Sequence, residues 1–172
     1  MKKPQENVLQ DGESAAEQTI TIRAFEPGDE AAFHDLNASW ICEHFRMDEK
    51  DMRILGDPLT HVIKEGGEIF VIVRRGTILG CCALLPLADQ SWEIAKMAVN
   101  NSHRGLGLGR RLLSHVIEHA KAVGARKLCL KTSSMLQPAI SLYTSSGFQS
   151  VAPEASELIP NERADVFMQL TL

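Results

Sequence analysis

Apolar and polar residues alternate from Thr19 to Phe25, a period that predicts a first strand. Pro27-Gly28-Asp29 then marks a helix start, and Ala32, Phe33, Leu36, Trp40 and Ile41 recur on one side at helical spacing through about Phe45. A second, short helix is expected over about Asp48 to Leu55, stopping before Pro58. Glu68 to Arg74 and Ile78 to Leu87 are strand patterns on either side of Arg75-Gly76-Thr77, the arrangement of a hairpin. Trp92 to Val99 is a further strand that runs into a glycine-rich turn. Out of that turn comes a long amphipathic helix, Leu108 to Val123, with Leu112, Leu113, Val116, Ile117, Ala120 and Val123 as its apolar stripe and Gly124 placed as a C′ glycine. Arg126 to Thr132 reads as a buried strand, Pro138 to Ser145 as a helix with proline in its first turn, and Phe148 to Val151 and Ala164 to Leu170 as closing strands. Strands outnumber what a doubly wound fold would interleave with helices. The expected class is therefore α+β: a mixed, largely antiparallel sheet of about six to seven strands with helices on both faces.

Met1 to Gln18 is rich in Gln, Glu and Lys, has no such period, and reads as a disordered tail before a single domain over 19–172. A chain of 172 residues that is 44% hydrophobic has material for one core and not for two. The net charge of -4 argues against nucleic acid as the main partner. The first 30 residues lack the apolar stretch of a signal peptide, and no run approaches the length of a membrane span, so a cytoplasmic location away from the membrane is expected. Cys42, Cys81, Cys82 and Cys129 sit inside apolar patterns without zinc-finger spacing and read as buried free thiols.

The chemistry concentrates in Arg104-Gly105-Leu106-Gly107-Leu108-Gly109-Arg110-Arg111. Alternating glycines remove the Cβ atoms that keep backbone N–H groups from a ligand, and the helix behind them begins with four N–H groups that have no internal partner. The helix dipole and three arginines make this a site for an anion, phosphate above all. It is not a dinucleotide fingerprint, because the third glycine would fall at Arg110 or Leu112, and no Gly-Lys-Ser/Thr follows to make a Walker loop.

Arg-x-x-Gly-x-Gly, at Arg104, Gly107 and Gly109, resembles the loop with which the GNAT superfamily of acetyl-CoA-dependent N-acetyltransferases wraps the CoA pyrophosphate. Trp92 to Val99 looks like that family's fourth strand, and Ala139-Ile140-Ser141-Leu142-Tyr143 with Gly147-Phe148 looks like its last catalytic helix and following turn. The resemblance covers Ile20 to Leu172 and implies acetyl-CoA as co-substrate, held by Met97, Ala98, Val99, Arg104, Gly105, Leu106, Gly107, Leu108, Gly109 and Arg110. It implies an amine acceptor, direct transfer in a ternary complex, and no metal.

The same resemblance assigns the proton work. Glu93, eleven residues before Arg104, stands where family members place a catalytic glutamate, which implies a general base acting through water. Tyr143 matches the tyrosine that protonates the departing sulfur, and main-chain N–H groups around Ala98 and Val99 would meet the oxyanion. The family's first helices and last hairpin shape the acceptor pocket, which nominates Trp40, Glu43, His44 and Arg163. Glu43 would hold a cationic amine and Arg163 a carboxylate. Leu136 stands where members often carry asparagine, with Ser134 and Gln137 as neighbours.

Two readings compete. A CoA-binding regulatory module would keep the pocket without turnover. His115-x-x-Glu118-His119 has the spacing of a zinc peptidase helix, although the apolar stripe turns both histidines toward the polar side, where a solvated pair is the simpler outcome. The acceptor itself, the acyl length and the oligomeric state lie outside what the residues state, with exposed strand edges leaving a homodimer open.

Overall fold

The computed structural model describes residues 19–172; the expected tail over Met1 to Gln18 lies outside them. β1 (Thr21–Ala24) is followed by α1 (Glu30–His44) and α2 (Glu49–Gly56). β2 (Glu68–Arg74) and β3 (Thr77–Pro86) come next, then β4 (Ser91–Val99), α3 (Leu108–Ala122), β5 (Lys127–Thr132), α4 (Gln137–Ser145), β6 (Gln149–Val151) and β7 (Val166–Thr171). The expected elements therefore exist in the expected order, with ends within two residues. A π-helical turn over Leu59–Ile63 and 3₁₀ turns over Asn101–His103 and Pro153–Ala155 were not legible from periodicity.

Local chemistry fixes these boundaries. The β2–β3 loop is Arg75-Gly76, with φ of 51° and 72°, the left-handed pair that matches the twist of a tight hairpin. α3 ends in a Schellman motif: the Ala125 N–H donates to Ala120 O at 2.9 Å and the Gly124 N–H to Lys121 O at 3.0 Å. α2 opens with a capping box in which the Asp51 N–H donates to Asp48 Oδ1 at 2.7 Å and the Asp48 N–H to Asp51 Oδ2 at 3.1 Å.

The strands form one seven-stranded sheet in the order β1-β2-β3-β4-β5-β7-β6, antiparallel throughout except for β4 and β5. Each face carries its own apolar core. Leu112, Leu113, Val116 and Ala120 of α3 pack with Ile72, Leu84, Ile94 and Leu128 on one face. Phe33 and Ile41 of α1 and Ile54 and Leu55 of α2 pack with Val71, Cys81 and Ala83 on the other. The α3 stripe is buried as its period requires except at Val123, which lies past the last helical turn and is 48% exposed.

Two irregularities of β4 make the site. It pairs with β5 through only three residues, Ser91, Trp92 and Glu93 opposite Lys127, Leu128 and Cys129, after which the parallel strands diverge. Against β3 the register passes from Ala83↔Ala95 to Cys81↔Ala98, so β4 carries one residue more than its partner, and Lys96 takes φ 50° in the bulge.

Candidate active site

A cleft of about 770 Å³ opens where β4 and β5 part. At one end lie the glycine turn and the start of α3, with Arg104, Gly105, Gly107, Leu108, Gly109 and Arg110 in its wall. Gly107 is the N-cap of α3 at φ 75°, and a Cβ built there meets nothing within 4 Å. Glycine is thus needed for the backbone turn, and the space above the first helical N–H groups is open. The Arg104 side chain makes no hydrogen bond or ion pair with another described residue. Arg110 donates to Ser145 Oγ at 2.9 Å and Arg111 to Ile20 O at 3.3 Å, so Arg111 is committed to the fold. Leu106 is 63% exposed and stays outside the cleft wall. His103 lines the cleft with Nδ1 3.2 Å from Asn100 Oδ1.

Met97, Ala98 and Val99 of β4 line the middle. Past Glu93 the β4 edge that faced β5 has no strand partner among the described residues, which leaves main-chain groups available to an extended ligand. Tyr143, on α4, is 9% exposed and reaches the same stretch from the α3 face. Its hydroxyl has the Met97 Sδ, a weak acceptor, at 3.8 Å. Burial pushes the phenol above its ordinary range, so it is a proton holder at neutral pH.

The opposite end faces α1 and α2. Glu93 is 6% exposed there, with Lys50 Nζ 3.8 Å from its Oε2. Trp40 and His44 also line this end; Glu43 is exposed beside His44 and does not. Arg163 lines it as well, but its guanidinium fork is engaged: it donates to Asp51 Oδ2 at 2.6 Å, to Asp51 Oδ1 at 3.1 Å and to Asp48 Oδ2 at 3.2 Å. Asp51, fully buried, also receives the Lys96 ammonium from the β4 bulge. Burial alone would raise the Asp51 carboxyl, but the hydrogen bonds from Arg163 and Lys96 outweigh it and hold the group at about 2. One carboxylate thereby ties α2, the bulge and the β6–β7 loop together.

Sequence reasoning passed over Lys50, Asp48, Asp51, Lys96 and Lys131, all in the cleft wall. Lys96, a charge inside an apolar strand, and the Asp48-x-x-Asp51 capping pattern were the available signals. The polar neighbours of Leu136 are both engaged: Ser134 Oγ donates to Asp165 Oδ2 at 2.5 Å, and Gln137 Nε2 donates to Ser134 O at 2.7 Å. Two readings of side chains need correction. Cys42 is exposed, because it follows Ile41 on the outer side of α1, while Cys81, Cys82 and Cys129 are buried thiols as expected. Burial lifts the Cys81 thiol to about 12 and raises Cys82 and Cys129 as well, which leaves these three poor nucleophiles. His115 and His119 are half-buried rather than solvated: both rings pack edge-on against Phe70, and His119 Nε2 lies 2.8 Å from Glu68 Oε1. Glu118 pairs with Lys121.

The profile described as "Acetyltransferase (GNAT) family" matches residues 30–148, which hold α1 to α4 and β2 to β5. The chain belongs to the GNAT acetyltransferase family. An uncharacterised N-acetyltransferase of Schizosaccharomyces pombe is 35% identical over 107 residues, covering 60% of this chain and 64% of the relative. An amino-acid acetyltransferase of Azotobacter vinelandii is 29% identical over 149 residues, 86% of this chain and 32% of the relative. The chain thus spans less than two thirds of the length of either. A GNAT-family acetyltransferase of Staphylococcus aureus has the same fold, with a TM-score of 0.81 at 19% identity over 89% of this chain and 99% of that one. A Salmonella typhimurium protein solved with its cofactor acetyl-CoA gives a TM-score of 0.69 at 25% identity over 90% and 94%. Mixed strand order and helices on both faces, expected from patterning, are those of the GNAT fold. No helix among the described residues is long and apolar enough to cross a membrane.

Proposed function

We infer that the protein is an acetyl-CoA-dependent N-acetyltransferase that moves an acetyl group onto a primary amine of a small molecule or peptide by direct attack in a ternary complex. The observation that carries this reading is one cleft with an anion cradle at one end, an unpaired strand edge in the middle, and a buried carboxylate at the other. The residues suit the co-substrate. Open space above the α3 N-terminus, positive-φ glycines and Arg104 fit a pyrophosphate, and the unpaired edge of β4 fits the amides of a pantetheine arm.

Acetyl-CoA, when bound, supplies the activated thioester. Glu93 takes the amine proton through water, so that nitrogen attacks uncharged, and Lys50 beside it steadies the carboxylate. A main-chain N–H of the unpaired β4 edge around Val99 would meet the carbonyl oxygen as charge develops on it, the Ala98 N–H being turned to the Cys81 thiol. As the C–N bond forms and the C–S bond breaks, the Tyr143 hydroxyl gives its proton to the sulfur, and the second proton that the nitrogen sheds on becoming an amide restores the phenol. Substitution of Tyr143 by Phe is expected to lower kcat by about 10- to 100-fold with little change in acetyl-CoA affinity, since the ring stays packed on Phe148 and only the proton donor is lost. Unchanged kcat at saturating acceptor would remove the tyrosine from the reaction.

Gly107→Val tests the cradle. A β-branched residue is strained at φ 75° and projects its methyls into the space over the helical N–H groups. Loss of about one or two charge-assisted hydrogen bonds should weaken acetyl-CoA about 10- to 100-fold in equilibrium binding. The activity itself is tested by chromatographic detection of free CoA after incubation with acetyl-CoA and panels of amino acids, polyamines, aminoglycosides and peptides. Release that depends on one amine class supports the enzyme. Binding of acetyl-CoA with no release across the panels favours a regulatory module.

A further inference from the structure

The charged side chains at the α1/α2 end do not balance. Lys50, Lys96, Lys131 and Arg163 face three carboxylates, Asp48, Asp51 and Glu93. Asp51 and Asp48 engage Lys96 and Arg163, and Glu93 has Lys50 beside it. Lys131 remains. It stands on β5 just past the point where β4 departs, two residues beyond Cys129, which sits opposite Glu93, so its side chain leaves the sheet on the same face as that of Glu93. Its ammonium donates to the Ile159 carbonyl of the β6–β7 loop at 2.5 Å and pairs with no described carboxylate. Burial lowers the amine from its ordinary value; Glu93 and, more weakly, Asp48 oppose that shift from across the cleft, while the neighbouring Lys50 and Lys96 add to it.

We propose that Lys131 is the anion-binding group of the acceptor pocket, and that the acceptor is a small amine carrying a carboxylate or phosphonate a few bonds from the nitrogen. The proposal rests on the acetyltransferase reading of the same cleft. The short reach follows from position: Glu93 and Lys131 are separated by one strand spacing and two residues of rise, roughly 8 Å between Cα atoms. Their side chains converge on the same chamber, so nitrogen at Glu93 and anion at Lys131 fit one compact molecule. The phosphates of CoA are a poor match for this charge. They belong with Arg104 and the α3 N-terminus, past the end of β4 and more than 10 Å of strand away, by about 3.3 Å per residue. An ammonium lacks the planar fork that selects a carboxylate, which is why both anions are admitted.

The test is calorimetric binding to the CoA-loaded protein of glycine, β-alanine and 4-aminobutyrate, each beside its carboxamide, with 2-aminoethylphosphonate as the second anion. At least one acid is expected to bind about tenfold or more tighter than its amide, and Lys131→Met should erase that difference while Lys131→Arg keeps part of it. CoA affinity should not move in either variant. A lysine that merely anchors the β6–β7 loop would weaken acid and amide alike in Lys131→Met, and that outcome overturns the proposal. So does a panel in which no acid binds tighter than its amide. Because the readout is binding, failure here is distinct from failure of the acetyltransferase reading: an acid preference without CoA release retains Lys131 and removes turnover, and turnover without an acid preference does the reverse.

Discussion

Glu93→Gln is expected to lower kcat by about 10²- to 10⁴-fold, the largest effect of any single substitution in the cleft. The amide preserves shape and a hydrogen-bonding oxygen in a site that is 6% exposed, so packing and acetyl-CoA binding should stay close to those of the parent. What disappears is, among the described residues, the one carboxylate of the cleft wall that is not already tied to a guanidinium or to the Lys96 ammonium. If Glu93 is the base, an amine arriving as its ammonium ion would then have nowhere to leave its proton. The residual rate of the variant should therefore climb with pH as the uncharged fraction of amine in solution grows. Rates are to be measured at saturating acetyl-CoA with the acceptor found in the amine panels. A kcat within threefold of the parent at neutral pH would rule Glu93 out as the base.

Asp51→Ala should cost about 3–5 kcal/mol of stability, read from urea denaturation, because it strands the half-buried Lys96 ammonium and leaves Arg163 with Asp48 as its one carboxylate. Lys96 and Arg163 have side-chain exposures of 12% and 20%, and Asp51 is the acceptor they share. Asp51→Asn keeps an acceptor oxygen and should fall between parent and alanine variant. The acid limb of the stability profile follows from the same carboxyl. It is held at about 2 in the folded chain against an ordinary 3.8, so on acidification the unfolded chain takes up the proton first. Its stabilisation is complete above about pH 4, declines as the pH falls, and is gone below about pH 2. The span corresponds to about 2 kcal/mol, and a parent protein with no loss of stability across that window would contradict the assignment.

Most of the architecture was legible because it is periodic. The α3 stripe from Leu112 to Ala120, the Arg75-Gly76 turn and Gly124 each follow from rules that act within a few residues, and the structure repeats them. The glycine turn was legible for the same reason. Features that depend on distant partners were not. Nothing local predicts that Asn37 sits at the heart of α1. It is tolerated because its amide nitrogen reaches Phe33 O at 2.9 Å and Cys81 Sγ at 3.3 Å, an acceptor that β3 brings from 44 positions away. The bulge at Lys96 is likewise a property of two strands in register and not of one. Arg163 could be nominated to the pocket from its place in the final hairpin, but its engagement by Asp48 and Asp51 spans more than a hundred residues. Lys131 looked like one polar position on a short buried strand until the parting of β4 and β5 turned it into a wall.

That parting also bears on cohesion. Among the described residues, three ladder pairs and the Arg126 N–H bond to Gln90 O at 2.8 Å join the wing β1-β2-β3-β4 to the wing β5-β7-β6 in the plane of the sheet. A pantetheine arm lying along the β4 edge would add backbone-like hydrogen bonds where the protein makes none, acting as a removable strand as much as a reagent. The sheet would be most continuous with the co-substrate in place and would give up part of that continuity at each release. Turnover would then be built into the mechanical life of the fold, with the seam between β4 and β5 held by the apolar core beneath α3 when the co-substrate is away.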